Sequence, residues 1–310
     1  MRIFIAGGTG VVGRPLVRLL VAAGHQVTAT TRTAGKTETL RAAGAEPVVL
    51  DGLDGPAIRR AVAAARPDAV VHQMTALSSL RSLRNLDREF ALTNRLRVEG
   101  TRHLLEAAQA AGVARFVAQS YTGWPNERSG GRVKTEDDPL DTNPPSQSRE
   151  TLAAIRELES IVTRASGIVL RYGSFYGPGT SLGPDGELTA MVRKRRFPIV
   201  GSGAGVWSFL HVDDAARATQ HAIEGTATGL FNVVDDEPAE VSLWLPALAA
   251  ALGAKPPRHL PAWLGRLVLG EVGAAMMTKG RGSSNARARR VLGWQPRFAS
   301  WRDGFQTLRS

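Results

Sequence analysis

Three features of the sequence predict an α/β fold, a doubly wound parallel sheet carrying a smaller, discontinuous C-terminal domain. An apolar strand, Arg2 to Ile5, runs directly into a glycine turn at Gly7, Gly8, Gly10 and Gly13, and then into an amphipathic helix ending near Ala23. Five alternations of strand and helix precede a sixth strand at Ile168 to Tyr172, the pattern of a parallel sheet covered on both faces. After Arg171 the alternation gives way to short pieces separated by turns and prolines. The 310 residues suffice for one large domain with an appendage. The expected sheet is therefore of the Rossmann type.

In chain order, Gln26 to Thr31 reads as the second strand, Thr37 to Ala43 as a short helix, and Glu46 to Leu50 as the third strand. A helix at Pro56 to Ala65 leads to a fourth strand, Asp68 to His72, whose histidine is expected to be packed at the strand end rather than to donate a proton. Ser78 to Ala111 reads as largely helical. Leu86, Phe90, Leu96, Leu104 and Leu105 suit its buried face; Arg81, Arg84, Arg88, Arg95, Arg97 and Arg102 suit solvated or cleft-facing positions. Arg115 to Gln119 is the fifth strand. The polar stretch Gly123 to Arg149 has the length of a lid or binding loop. A helix covers Arg149 to Ala165. Beyond the sixth strand come helices at Leu188 to Lys194, Ala215 to Glu224, Leu243 to Leu252 and Ala262 to Met277, with strands at Phe197 to Val200, Phe209 to Val212 and Leu230 to Val234. The domain division expected is 1–172, completed by about 210–235, for nucleotide binding, with 173–209 and 236–310 for substrate.

Composition narrows the function classes. The chain has no cysteine, which excludes disulfides, thiolate nucleophiles and cysteine-ligated metals, and no metal site is expected. No secretory pattern and no apolar run of membrane-spanning length is visible, so a cytoplasmic protein without membrane association is expected. The net charge of +11 comes from 39 basic residues, only five of them lysines, against 28 acidic ones. The arginines are dispersed and no nucleic-acid-binding signature accompanies them, so the expected partner is a small molecule, bound by a monomer or homodimer.

The glycine turn carries the clearest chemistry. Gly7 permits the chain reversal, Gly10 lets backbone N–H groups approach a pyrophosphate, and Gly13 lets helix and strand pack closely. The helix N-terminus then faces the phosphates, which makes Gly7, Thr9, Gly10, Val11, Val12, Gly13 and Arg14 candidate dinucleotide ligands. An enzyme selecting NAD places an acid after the second strand; none occurs between Val27 and Lys36. Arg32 and Lys36 stand there instead, suited to a 2′-phosphate, and NADP(H) is the expected cofactor. Asp51 and Gly52 suit the adenine edge, or a plain strand-end turn. Met74 and Thr75 pass the cofactor ribose. Gln119, at the end of the fifth strand, and Tyr172, Ser174 and Phe175, around the end of the sixth, complete the candidate cofactor set. Ser120 and Tyr121 bring hydroxyls to where a nicotinamide ring should sit.

These residues resemble the extended branch of the short-chain dehydrogenase/reductases, related to NAD-dependent epimerases and dehydratases. The resemblance rests on Gly7-Gly8-Thr9-Gly10-Val11-Val12-Gly13, Leu170-Arg171-Tyr172-Gly173-Ser174-Phe175-Tyr176-Gly177-Pro178-Gly179, Phe209-Leu210-His211-Val212-Asp213-Asp214, Phe231-Asn232-Val233-Val234 and the closing Leu292-Gly293-Trp294-Gln295-Pro296. It implies a Tyr-x-x-x-Lys pair on the helix before the sixth strand, the tyrosine moving a proton at the reacting oxygen. Here that helix has neither residue: Thr151 and Ile155 align with the pair, and Glu159 with a downstream family glutamate. Arg97 stands three residues before Gly100-Thr101, where the family has asparagine. Two readings stay open. The chain is a reductase whose proton comes from Tyr121, Ser120, Thr151, water or a substrate hydroxyl, or it is a catalytically silent NADP(H) sensor. Epimerase or dehydratase chemistry is disfavoured without the tyrosine. The pattern is also similar to angucyclinone-type polyketide ketoreductases, as in simocyclinone biosynthesis. That implies hydride transfer to a ketone of a polycyclic aromatic substrate, with Trp124, Phe175, Trp207 and Trp263 as candidate flat walls.

Overall fold

The seven main strands all run parallel. They are β1 (Arg2–Ala6), β2 (Gln26–Thr31), β3 (Glu46–Val49), β4 (Ala69–His72), β5 (Arg115–Tyr121), β6 (Ile168–Tyr172) and β7 (Gly229–Val233), in the order β3-β2-β1-β4-β5-β6-β7. Their carboxyl ends share one rim, and strand order reverses between β1 and β4, which opens a crevice there. The structure is a computed structural model and describes residues 1–77 and 84–308. Arg81 and the start of the helical stretch expected from Ser78 lie outside the described residues.

Both faces of the sheet are covered, as its apolar strands require: β4 and β6 are buried along their whole length. On one face lie α1 (Gly13–Ala22) and, later in the chain, the helix Val212–Glu224, around a core that includes Leu16, Val17, Leu20, Val71 and Phe231. Leu16, Val17 and Leu20 are sealed from solvent, each worth about 1.5–3 kcal/mol of burial. On the other face lie α2 (Gly55–Ala65), α3 (Thr101–Ala110) and α4 (Arg149–Arg164), around Phe4, Ile58, Leu104, Val162 and Val169.

The stretch before α3 departs from the expected single helix. It breaks into Leu86–Glu89, Ala91–Arg95 and a π-helical turn, Leu96–Gly100. A π-turn adds a residue to the helical repeat and rotates the side chains beyond it about the helix axis. Arg97, expected to be solvated or cleft-facing, lies within the turn and is 7% exposed.

The second domain has its own aromatic core of Tyr176, Trp207, Phe209, Trp244, Trp301 and Phe305. Trp207 stacks on Trp244 with ring centroids 4.9 Å apart and donates its indole N–H to the Met276 carbonyl, 3.1 Å. It is a core residue and not the flat wall anticipated. Trp263 lies on the surface, 64% exposed. The helix Ala262–Lys279 kinks at Gly270, whose φ is +75°. Arg84 donates to the Leu267 and Val268 carbonyls that the kink leaves open. One segment differs from the domain division expected. Ala288, Leu292 and Trp294 pack in the first core, on the helix Val212–Glu224 side. The helices Ala286–Leu292 and Trp301–Gln306 were not anticipated in the tail.

The segment 123–148 is a fastened strap. Glu127 accepts hydrogen bonds from the backbone N–H groups of Arg128, Ser129 and Thr142, which hold its carboxyl down at a pKa of about 2. Lys134 is buried and donates to the Ser129 carbonyl and to Asp138. Val133–Lys134 pairs in parallel with Gly282–Ser283, which ties the strap to the second domain. Among the described residues no helix is long and apolar enough to cross a membrane.

Asp214, 1% exposed, joins the tail to the first domain. Its two oxygens accept the backbone N–H groups of Arg297 (2.8 Å) and Phe298 (3.0 Å). Asp214→Ala removes both acceptors and is expected to cost about 2–4 kcal/mol, read from the urea midpoint. An unchanged midpoint would show that the tail is held by its apolar contacts alone.

Candidate functional site

The glycine turn sits at the crevice between β1 and β4. Gly7 has φ +95°, and a Cβ there would lie 2.7 Å from the carbonyl carbon and oxygen of Gln73. A Cβ on Gly13 would drive into the Gly7 carbonyl oxygen. Only glycine satisfies either position. Thr30 pins the turn from β2, its hydroxyl accepting Gly7 N–H (3.0 Å) and its carbonyl accepting Gly8 N–H (3.0 Å). Gly10 N–H closes onto the Gly7 carbonyl (3.1 Å), and Arg14 N–H starts α1 on the Gly10 carbonyl (3.0 Å). The N–H groups of Val11 and Val12 have no acceptor among the described residues. This is a cradle of the size and polarity of a pyrophosphate. Val12 itself turns its side chain into the core, whereas Gly10 and Arg14 face solvent.

Around the cradle the remaining candidates fall into three groups. Thr9 bonds Thr31 across the turn (3.4 Å), and Arg32 and Lys36 are exposed beyond β2, their side chains without a hydrogen bond or ion pair among the described residues. Asp51 caps its own loop by accepting Leu53 N–H (3.0 Å), while Gly52 is buried under the Met74 sulfur. Thr75 is exposed beside Met74, and Gln119 donates to the Met74 carbonyl (3.4 Å). At the ends of β5 and β6, the Tyr121 and Ser174 hydroxyls meet at 3.1 Å, and Phe175 is half-buried nearby. Burial raises the Tyr121 pKa, so its phenol stays protonated near neutrality.

Three expected residues are placed elsewhere. Tyr172 is 1% exposed, and its phenol is spent on Gln73 (3.1 Å) and Thr219 (2.6 Å) inside the core. Thr151 is fully buried; its hydroxyl donates to Asp87 (2.7 Å) and accepts from Asn94 (3.1 Å), so it is a fastening point between helices and carries no free proton. Ser120 points to the face of the sheet opposite Tyr121 and donates to Glu159 at 2.7 Å. Glu159 also takes a two-pronged bond from Arg171, 2.7 and 2.6 Å, with both side chains buried. A cleft of about 570 Å³ lies behind this pair, between α4 and β7, away from the cradle. Trp124 packs on Leu140, Leu152 and Ile155 over α4.

His72 is packed and satisfied at the end of β4 as expected, whereas the partners of Arg97 were not read from the sequence. His72 donates from Nε2 to the Leu96 carbonyl (3.2 Å) and accepts Met74 N–H at Nδ1 (3.1 Å). Burial lowers its pKa to about 4, so the ring is neutral and joins β4 to the π-turn. Arg97 bonds Asn94 (3.2 Å) and lies over the Phe90 ring at 5.6 Å. Burial lowers its pKa to about 10, which leaves it charged at neutral pH. The signal for Arg171 was in the sequence: an arginine inside an otherwise apolar strand requires a buried partner.

The sequence profile of the NAD dependent epimerase/dehydratase family matches residues 3–233. The chain belongs to that family. It is 48% identical over 308 residues, 98% of this chain and 99% of the relative, to a 3-diazoavenalumate denitrifying reductase from a Streptomyces species. It is 28% identical, over 82% of this chain and 74% of the relative, to a 4-hydroxy-2-methyl-3-oxo-4-farnesyl-3,4-dihydroquinoline-1-oxide ketoreductase from Stigmatella aurantiaca. In fold it is similar to the UDP-glucose 4-epimerase of Thermotoga maritima, with a TM-score of 0.76, 22% identity, and 99% and 96% of the two chains covered. Family membership and the 48%-identical reductase make this chain an NAD(P)H-dependent oxidoreductase acting on a small molecule.

The His72 ring makes a pH prediction. Its pKa is near 6.5 unfolded and about 4 folded, so its stabilising contribution is complete above pH 6.5 and is lost as pH falls towards 4. Unfolding free energy should fall by roughly 3 kcal/mol more in the wild type than in His72→Gln across that window. Parallel pH profiles for the two proteins would show that His72 contributes nothing to the acid sensitivity.

Proposed function

We propose that the protein uses NADPH to reduce a small aryl diazo compound, discarding its two nitrogens as N2. When bound at the glycine cradle, a nicotinamide dinucleotide supplies an electron pair and a hydrogen, as hydride from its nicotinamide C4. The acceptor decides what else the site must provide. A ketone takes up hydride and also a proton to become an alcohol. An aryl diazonium group takes up hydride alone: a new bond to hydrogen forms, the carbon–nitrogen bond breaks, and the arene and N2 leave with charge balanced. No proton is drawn from the protein.

The observation that carries this reading is the committed state of α4. Thr151 and Ser120 have given their hydroxyls to Asp87 and Glu159, and α4 contains neither tyrosine nor lysine. A helix α4 without a free acid suits an acceptor that needs none. The 48%-identical reductase, whose name places it on a diazo compound, supports the same class. The cradle's own residues do the binding and orienting, and placing the acceptor can supply about 7–11 kcal/mol of a barrier.

A second reading, reduction of an aromatic polyketide-type ketone, is favoured by the Tyr121–Ser174 hydroxyl pair. Tyr121 keeps its proton near neutrality and can donate it, and a 28%-identical relative is a ketoreductase.

A preference for NADPH over NADH is supported by Arg32 and Lys36, whose exposed side chains stand free where a 2′-phosphate would lie. Arg32→Ala should weaken NADPH binding by about 10- to 100-fold and leave NADH unchanged in a fluorescence titration. Tighter NADH binding by the wild type would refute the preference.

For the acceptor, ¹⁵N-labelled aryl diazonium salts and matched aryl ketones are offered with NADPH. The expected result is ¹⁵N2 released one-for-one with NADPH oxidised, at a rate unchanged in Tyr121→Phe. Alcohol formation that slows by about 10²–10⁴-fold in Tyr121→Phe would establish the ketone reading instead. Cofactor binding with no turnover of either class would leave a nucleotide sensor.

A further inference from the structure

Three ionisable side chains are buried together beneath α4, at the carboxyl ends of β4 to β6: Arg97 (7% exposed), Arg171 (4%) and Glu159 (5%). The Glu159 carboxylate is spent on Arg171 and Ser120. His72 next to Arg97 is neutral, and Asp87 is occupied by Thr151 and by the N–H of Glu150. The bonds to Asp87 come from neutral donors, so it keeps its charge, and the field of Glu159 reaches Arg97 as well as Arg171; the charges balance, yet no carboxylate bonds the Arg97 guanidinium. Guanidinium donors in a desolvated site are costly unless an acceptor meets them.

Arg97 has donors left over. Among the described residues it bonds only Asn94, through Nη1, and its Nε and Nη2 find no acceptor. Neither atom is among the fully enclosed unpartnered groups, unlike the indole N–H of Trp244 or the amide of Asn232. The free edge of the guanidinium thus opens on unfilled space. Arg97 lies one side chain from Thr151, because the Asn94 amide bridges its Nη1 and the Thr151 hydroxyl. Thr151 aligns with the family's tyrosine, so the guanidinium is linked through Asn94 to the helix that lacks the family's pair.

We propose that Arg97 binds an anionic oxygen, phenolate or carboxylate, conjugated to the group being reduced, so that the substrate is a hydroxyaryl or carboxyaryl diazo compound. This rests on the hydride-transfer reading above. A simple aryl diazonium cation offers the guanidinium no acceptor and is repelled by it. A ring that also carries an anionic oxygen is neutral overall and presents its negative end to the guanidinium. The cofactor's phosphates belong to the cradle at Gly7–Gly13, and its ribose hydroxyls do not require a charge.

The test compares wild type, Arg97→Gln and Arg97→Lys on 4-hydroxy-, 4-carboxy- and 4-methoxybenzenediazonium with NADPH. For the hydroxy or carboxy compound, Arg97→Gln should raise KM by about 10- to 100-fold, a loss much larger than for the methoxy compound, and Arg97→Lys should restore part of it. Which of the two anionic substrates shows the effect identifies the oxygen. Equal losses on all three substrates, or a parallel loss of NADPH affinity, would overturn the proposal. A second measurement needs no turnover. The NADP⁺ complex of the wild type should bind 4-nitrophenolate or 4-nitrobenzoate and lower the apparent pKa of the nitrophenol, an effect lost in Arg97→Gln. Absence of both ligands' binding to the wild type would also overturn it. Arg97-dependent binding of these anions without reduction of any diazonium salt would instead sink the reductive reading and leave the anion site standing.

Discussion

The Glu159 carboxylate is the constraint on which this site depends. It lies between α4 and the sheet, takes two bonds from Arg171 on β6 and one from Ser120 on β5. Breaking such a buried pair by removing one partner typically costs about 3–5 kcal/mol, because the other charge is left stranded. The pair therefore fixes how α4 sits over the strand ends. It has two chemical consequences. It draws the Ser120 hydroxyl away from Tyr121, to the opposite face of the sheet. It also engages the carboxylate whose field reaches Arg97, so no carboxylate bonds the second buried guanidinium directly.

Much of the first domain was legible in the sequence because its signals are local. The observed bounds of β2 and β6 match those read from the chain, β2 a run rich in β-branched residues and β6 apolar apart from Arg171 and Tyr172. The glycine turn was legible for a different reason: Gly7 and Gly13 stand where backbone atoms leave no room for a Cβ. What escaped depends on contacts distant in sequence or on register. A π-turn at Leu96–Gly100 has no compositional mark, and Arg97, expected to be solvated or cleft-facing, lies within it and is buried. The pairing of Val133–Lys134 with Gly282–Ser283 turns the long polar loop into a strap, and two-residue strands have no periodicity to read. Trp207 and Trp263 look alike in sequence, yet one is packed on Trp244 and the other faces solvent.

The candidate site divides in the same way. Residues of the cradle follow from a spacing rule, since a pyrophosphate requires closely approaching N–H groups wherever it is bound. The hydroxyls did not follow, because a hydroxyl's availability depends on whom it is bonded to. Thr151, Ser120 and Tyr172 each have the right chemistry and the wrong company: Asp87, Glu159, and the pair Gln73 and Thr219. Tyr121 alone of the set keeps a neighbour, Ser174, with which donor and acceptor can exchange.

Reversibility bears on why a fold that retains its dinucleotide cradle could dispense with an acid on α4. Ketone and alcohol interconvert, so a group that protonates the oxygen in one direction must accept that proton in the other, and its pKa must be tuned to both tasks. An acceptor that loses N2 does not return. Its reduction has no reverse step to balance, and a tuned tyrosine and lysine would add nothing to its rate. What such a substrate demands instead is orientation and charge compensation, since a diazonium group carries its own positive charge into the crevice. A buried arginine with unbonded donors is a poor neighbour for that charge alone. It becomes a good one when the same ring brings an anionic oxygen, and on that ground the charge at Arg97 discriminates among diazo compounds where the missing acid does not.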